Sequence, residues 1–209
     1  MLEMENIMSG VEFFQKGGSV MYVLLLCSMF TVAIGLERYL YFRRMDSGRD
    51  FAMHFCSLMG EFKEQEARKL VKATSGVLAG ILAHAMEMEQ EREGRAAVSY
   101  MEVQSGVEIS KFRRRLYYLN VIVTLAPLLG LLGTISGMIS AFSVFHVQSG
   151  QAAAITGGVG EALIATAMGL CVAILALIVH AYFSQRLENI VTDMEQCFSL
   201  VERGAGERK

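Results

Sequence analysis

In this chain of 209 residues, 53% hydrophobic and 19% charged, the apolar residues are gathered into three long stretches. A soluble globular domain would scatter them in amphipathic patterns, so composition predicts an integral membrane protein of all-α class. The net charge of −2 decides nothing, because for such a chain the division of Lys and Arg between the two sides of the membrane is what matters.

Residues 1–16 carry Glu3, Glu5 and Glu12 with Lys16 as their one base, and read as a periplasmic N-terminal segment. Residues 17–36 are uncharged, enough to cross roughly 30 Å of hydrocarbon. An acidic start and the lack of an A-x-A site argue against a cleaved signal, so this stretch is expected to be a permanent first transmembrane helix. Residues 37–115 form a cytoplasmic insert, proline-free and expected to be helical throughout, with Phe51, Phe55, Leu58, Phe62 and Leu70 at core-facing spacing. Gly76, Gly80, Gly94 and Gly106 are its candidate breaks. From Arg95 to Phe145 the pattern allows one continuous helix bent at Pro127. The second span covers 116–145, a short periplasmic loop 146–151, and the third span 152–183. Residues 184–209 are read as a cytoplasmic helix, with Leu187, Ile190, Val191, Met194, Phe198 and Val201 on its apolar face, and a disordered tail GAGERK.

Orientation follows from the bases. Arg38, Arg43, Arg44 and Arg49 follow the first span, Lys111, Arg113, Arg114 and Arg115 precede the second, and Arg186 follows the third, which predicts the N-terminus outside and the C-terminus inside. Cys27, Cys56, Cys171 and Cys197 lie in spans or on the reducing side without C-x-x-C spacing, so neither a disulfide framework nor a zinc site is expected. His54, His84, His146 and His180 lack metal-ligand spacing. The sequence shows no nucleophile, base and orienter set, no phosphate loop and no cofactor motif, so an enzyme, a bound cofactor or a nucleic-acid partner is not expected.

The densest signal is TLAPLLGLLGTISGMISAF, residues 124–142. Ala126, Gly130, Gly133, Thr134, Gly137, Ser140 and Ala141 fall on one helical face, a stripe along which backbones approach closely. The third span repeats the device with Ala162, Ala165, Gly169, Ala173 and Ala176, bordered by Thr166. Glu161 is the lone acid in or bordering the spans. An acid in this position is costly against lipid and marks a functional candidate, against the plainer reading of an interfacial residue. For Thr134 and Thr166 the plainer reading is a hydroxyl bonded back to its own helix. Their shared setting on two small-residue faces suggests one narrow wet path. Asp46, Asp50 and Asp193 are the only aspartates and none lies in a span, so a deep acid that loads and empties protons is expected on a partner.

APLLGLLGTISGMISAF (residues 126–142) and EALIATAMGLCVAI (residues 161–174), with GLERYLYF (residues 35–42) at the exit of the first span, resemble the MotA/TolQ/ExbB proton-channel family, nearest its ExbB and TolQ branch. The resemblance implies a pentameric ring in the bacterial inner membrane whose second and third helices surround a pore. It also implies a dimer of an ExbD- or TolR-like single-span partner in that pore, and a TonB- or TolA-like transducer driven by the proton gradient. Thr134 and Thr166 then match the family's pore-lining threonines, and Glu161 its third-span glutamate. One departure is Leu175, where the family commonly has proline. Rival readings are a non-conducting membrane scaffold, a self-contained transporter, and a MotA-like stator subunit.

Overall fold

The computed structural model describes residues 18–90, 94–147 and 152–207, with side chains described over 18–89, 95–142, 157–160 and 162–204. Seven α-helices and no strands appear among these residues. They are α1 (Val20–Met45), α2 (Arg49–Gly60), α3 (Glu64–Ala73), α4 (Val77–Gln90), α5 (Gly94–Arg113), α6 (Leu116–Val147) and α7 (Ala152–Glu207). Three helical stretches are long and apolar enough to cross a membrane. At 1.5 Å per residue α7 is about 84 Å long, far beyond the hydrocarbon thickness.

The chain divides into two compact units, residues 1–35 with 117–181 and residues 36–116 with 182–209. In the first, α1 packs Met21 and Leu24 against Ile122 and Ala126 of α6 and Val172, Ala173 and Ala176 of α7. Gly35 of α1 lets the chain close on Val179, since a Cβ there would stand 3.3 Å from its methyl. The faces turned away from this core stay apolar: Phe30, Leu128, Ile139, Leu163 and Ile178 are all exposed. A water-soluble unit would not leave such a surface, and lipid or other membrane helices must cover it.

In the second unit consecutive helices α2 to α5 pack on their sequence neighbours. Phe51, Phe55 and Leu58 of α2, Ala67 and Val71 of α3, and Leu78, Leu82 and Met86 of α4 are buried, each set at the spacing of one helical face. The His84 and Tyr100 rings meet at 4.7 Å between α4 and α5. The far end of α7 buries Leu187, Ile190, Met194, Cys197 and Val201. Cys197 therefore takes the core register expected of Phe198, which is half-buried.

Several sequence expectations need correction. Among its described residues the insert holds the end of α1 and the four helices α2 to α5. Of its candidate glycines only Gly76 breaks a helix, at φ 127, while Gly80 and Gly106 lie inside helices and Gly94 opens α5. The break between α2 and α3 falls at Phe62, whose φ of 58 is unusual for a bulky residue. The Lys63 N–H reaches the Leu58 carbonyl at 2.9 Å and closes the helix end around Phe62. Phe62 is thereby thrown off the core face and is 83% exposed. The helix expected from Arg95 to Phe145 is interrupted at Arg114 and Arg115, although the Arg114 N–H still bonds the Ser110 carbonyl at 3.0 Å. Pro127 lies inside α6. The first apolar helix begins at Val20, after Gly18 at φ 70. At the other end α7 runs through Glu207, into the segment read as a tail. The expected periplasmic segment 1–16 and most of the loop 146–151 lie outside the described residues.

Candidate functional site

The small-residue faces of α6 and α7 meet each other within the chain. Ala126, Ala141, Ala162, Ala165 and Ala176 are buried along the seam. At its centre two glycines bring backbone onto backbone. A Cβ on Gly169 would lie 2.6 Å from the Ala126 carbonyl oxygen and 3.0 Å from Gly130 Cα, and one on Gly130 would lie 3.0 Å from Thr166 Cα. Further along, a Cβ on Gly133 would stand 2.5 Å from the Ala165 methyl, with Val20 of α1 also close, and one on Gly137 would stand 3.1 Å from the Ala162 methyl. Gly158 meets Ala141 in the same way. Contact of this closeness is how helices without a hydrophobic drive between them gain dispersion energy.

The two threonines sit at the edge of that seam, both half-buried. Thr134 donates its hydroxyl proton to the Leu131 carbonyl of its own helix at 2.6 Å, the back-bonded state that membrane threonines commonly adopt. Thr166 instead donates across the seam to the Gly130 carbonyl at 3.0 Å. That bond exists because Gly130 and Gly169 carry no side chains to hold the helices apart. With both protons engaged, each hydroxyl offers its surroundings oxygen lone pairs, not a donor.

Within the chain the two small faces close on each other along this seam, and Thr134 and Thr166 stand at its edge. Glu161 lies in α7, and its side chain is outside the described residues. Its backbone register can be placed: five residues before Thr166 correspond to about 140° around the axis at 100° per residue. Glu161 and Thr166 therefore belong to different sides of α7, one on each flank of the small-residue stripe. Among the described residues no three His, Cys, Asp or Glu side chains converge as a metal set.

Sequence reasoning missed a polar cluster in the second unit. Arg38 is 3% exposed. It donates Nε and Nη2 to the two Glu37 carboxylate oxygens, each at 2.7 Å, and Nη1 to the carbonyls of Lys111 at 3.2 Å and Phe112 at 3.3 Å. Its guanidinium also lies 4.5 Å from the Tyr41 ring centre. Through Nη1 it caps two carbonyls in the last turn of α5, and Arg115 adds a 3.1 Å ion pair to Glu37. Read as one base among several marking the inner side, Arg38 gave one sequence signal of more: an adjacent acid within GLERYLYF. A second unanticipated contact is Cys56 with Cys197, whose sulfurs are 3.7 Å apart. Burial pushes both thiols up from their ordinary values, which disfavours the thiolate form.

Comparison with known proteins matches residues 73–196 to the model of the MotA/TolQ/ExbB proton channel family. A biopolymer transport protein of Synechocystis named as ExbB-like 1 is 33% identical over 181 residues, covering 79% of this chain and 67% of the relative. An ExbB homolog of Methanothermobacter thermautotrophicus is 26% identical, covering 88% of this chain and 66% of the relative. The Tol-Pal system protein TolQ of Pseudomonas aeruginosa is 37% identical over 92 residues, 44% of this chain and 40% of that protein. The chain thus spans about two thirds of the first two relatives and less than half of the third.

Proposed function

Because this chain belongs to the MotA/TolQ/ExbB proton channel family, we propose that it is the ring-forming subunit of a proton-driven motor in the bacterial inner membrane. On this reading it assembles as a pentamer around a dimer of an ExbD- or TolR-like single-span protein and energises a TonB- or TolA-like transducer. The observation that carries the reading is that the family match runs through both α6 and α7, the helices that hold Thr134, Glu161 and Thr166. Relatives named for biopolymer transport and for the Tol-Pal system support both branches of the proposal without choosing between them.

The seam geometry supports a specific division of labour. Gly130, Gly133, Gly137 and Gly169 fasten α6 to α7 inside each subunit, so the conducting space belongs between subunits. There the partner's carboxylic acid carries the proton. Hydroxyls whose own protons are engaged accept a hydrogen bond from that acid in its neutral form, while Glu161, toward the outer end of α7, receives protons from the periplasmic side.

A non-conducting scaffold is the competing reading, and the bonds of Thr134 to Leu131 and of Thr166 to Gly130 favour it, because they give both hydroxyls structural work. One experiment separates the two. The Glu161→Ala, Thr134→Ala, Thr166→Ala triple variant is expected to assemble and to co-purify with its single-span partner at the parental mass ratio, yet to lose energised transport and proton flux. Full transport by an assembled triple variant would favour the scaffold.

A further inference from the structure

The C-terminal ends of α1 and α5 come together in the second unit. Arg38 of α1 holds the Lys111 and Phe112 carbonyls of α5, the Phe42 and Phe112 rings meet at 4.9 Å, and Tyr41 meets Phe112 at 5.2 Å. Arg43 and Arg113 are the residues directly after the two touching phenylalanines, and Arg44 and Arg114 follow them. All four arginines are exposed.

The nearest acids in sequence are already taken. Glu37 binds Arg38 and Arg115, Asp46 binds Arg186 at 3.1 Å, and Glu108 binds Lys111 at 2.8 Å. Among the described residues Arg43, Arg44, Arg113 and Arg114 carry no ion pair. Capping does not require Arg113 and Arg114, because Arg38 already serves the final carbonyls of α5. Four exposed guanidinium groups at adjoining helix ends leave positive charge that no carboxylate among the described residues balances. That charge is open to an anionic ligand from outside the chain.

The apolar spans say what lies within reach. Arg113 and Arg114 stand two or three residues before Leu116, where α6 begins, and Arg43 is seven residues beyond Leu36, roughly 10 Å along a helix. The polar headgroup layer is roughly 5–8 Å deep on each side, and an arginine side chain spans the remainder by snorkelling. We infer that Arg43, Arg44, Arg113 and Arg114 form a docking surface for the phosphate groups of anionic phospholipids, each guanidinium offering two parallel donors to a phosphate. Such a surface would tie the helix ends to the inner leaflet, beyond what the asymmetry of basic residues needs for orientation.

The test uses the full chain in nanodiscs of phosphatidylcholine alone and of an equimolar mixture with phosphatidylglycerol, followed by extraction and mass spectrometry of the retained lipid. The parent is expected to retain phosphatidylglycerol in excess. A basic residue near an anionic surface contributes on the order of a fivefold preference, so Arg43→Gln with Arg44→Gln, and separately Arg113→Gln with Arg114→Gln, should each cut the excess by about tenfold or more. Lys69→Gln with Arg95→Gln, elsewhere in the same unit, should leave it unchanged. Raising ionic strength should erase the parent's excess without changing phosphatidylcholine retention, a readout that needs no variant. Equal retention by the parent and both glutamine pairs, or a salt-independent excess, would overturn the inference. So would displacement of the lipid by inorganic phosphate, which would mark a site for free anions.

Discussion

Gly169→Ala tests the seam where it is tightest. The added methyl would lie 2.6 Å from the Ala126 carbonyl oxygen, about 0.7 Å inside the roughly 3.3 Å at which carbon and oxygen ordinarily meet. It would also lie 3.0 Å from Gly130 Cα and 3.1 Å from Gly130 N. All three neighbours are backbone, so no rotamer change relieves the overlap and α6 must move away from α7. Overpacking of this kind costs about 1–3 kcal/mol. Separation also stretches the Thr166 to Gly130 hydrogen bond, of a type worth roughly 0.6–1.7 kcal/mol between membrane helices. Against this, alanine gains about 1 kcal/mol over glycine as a helix former. The net expectation is a destabilisation of roughly 1–3 kcal/mol. Gly160 on the same helix has nothing within 4 Å of its would-be Cβ, so Gly160→Ala keeps the propensity gain without the clash. Thermal unfolding of the detergent-solubilised chain, followed by circular dichroism, compares the two variants. A Gly169→Ala melting point no lower than that of Gly160→Ala would refute the close α6 and α7 contact.

Leucine at Gly133 or Gly137 is expected to disrupt the α6 and α7 seam and with it the native oligomer mass in detergent, an effect that should exceed that of Leu128→Ala at an exposed apolar position. In a variant lacking the native cysteines, Ser149→Cys should react with an impermeant thiol reagent added outside sealed cells, while native Cys56 in the parent should not; labelling of Cys56 from outside would reverse the orientation. Burial raises the Asp193 carboxyl, with Arg49 opposing and Asp46 adding to the rise. A carboxyl raised in the folded state favours folding below its unfolded pKa, and that contribution is lost as pH rises through the folded value. Asp193→Asn should therefore melt higher than the parent at neutral pH, with the difference vanishing on acidification, and a pH-independent difference would contradict this.

Membrane class, three long apolar helices and the small-residue faces of α6 and α7 were all legible in the sequence. Each rests on local properties, namely apolar length against bilayer thickness and side-chain size at helical spacing. The ordered motifs of residues 126–142 and 161–174 likewise pointed to the family. Tertiary structure decided what those faces touch. A stripe of glycine and alanine specifies close approach but not the partner, and here the partner is the chain's own next helix. It also decided the two threonines, since Thr134 bonds within its helix and Thr166 across to Gly130, a distinction that depends on where the facing carbonyl stands. Phe62 had the right spacing for a core residue, yet the helix ends two residues earlier and its backbone turns the ring outward. Arg38 looked like any base that marks the inner side. It became the buried cap of α5 because tertiary packing set the unsatisfied carbonyls of Lys111 and Phe112, 73 and 74 residues away in sequence, beside it. Spacing along a chain predicts which side chains share a face. Which unsatisfied group waits opposite that face is determined only when helices distant in sequence meet.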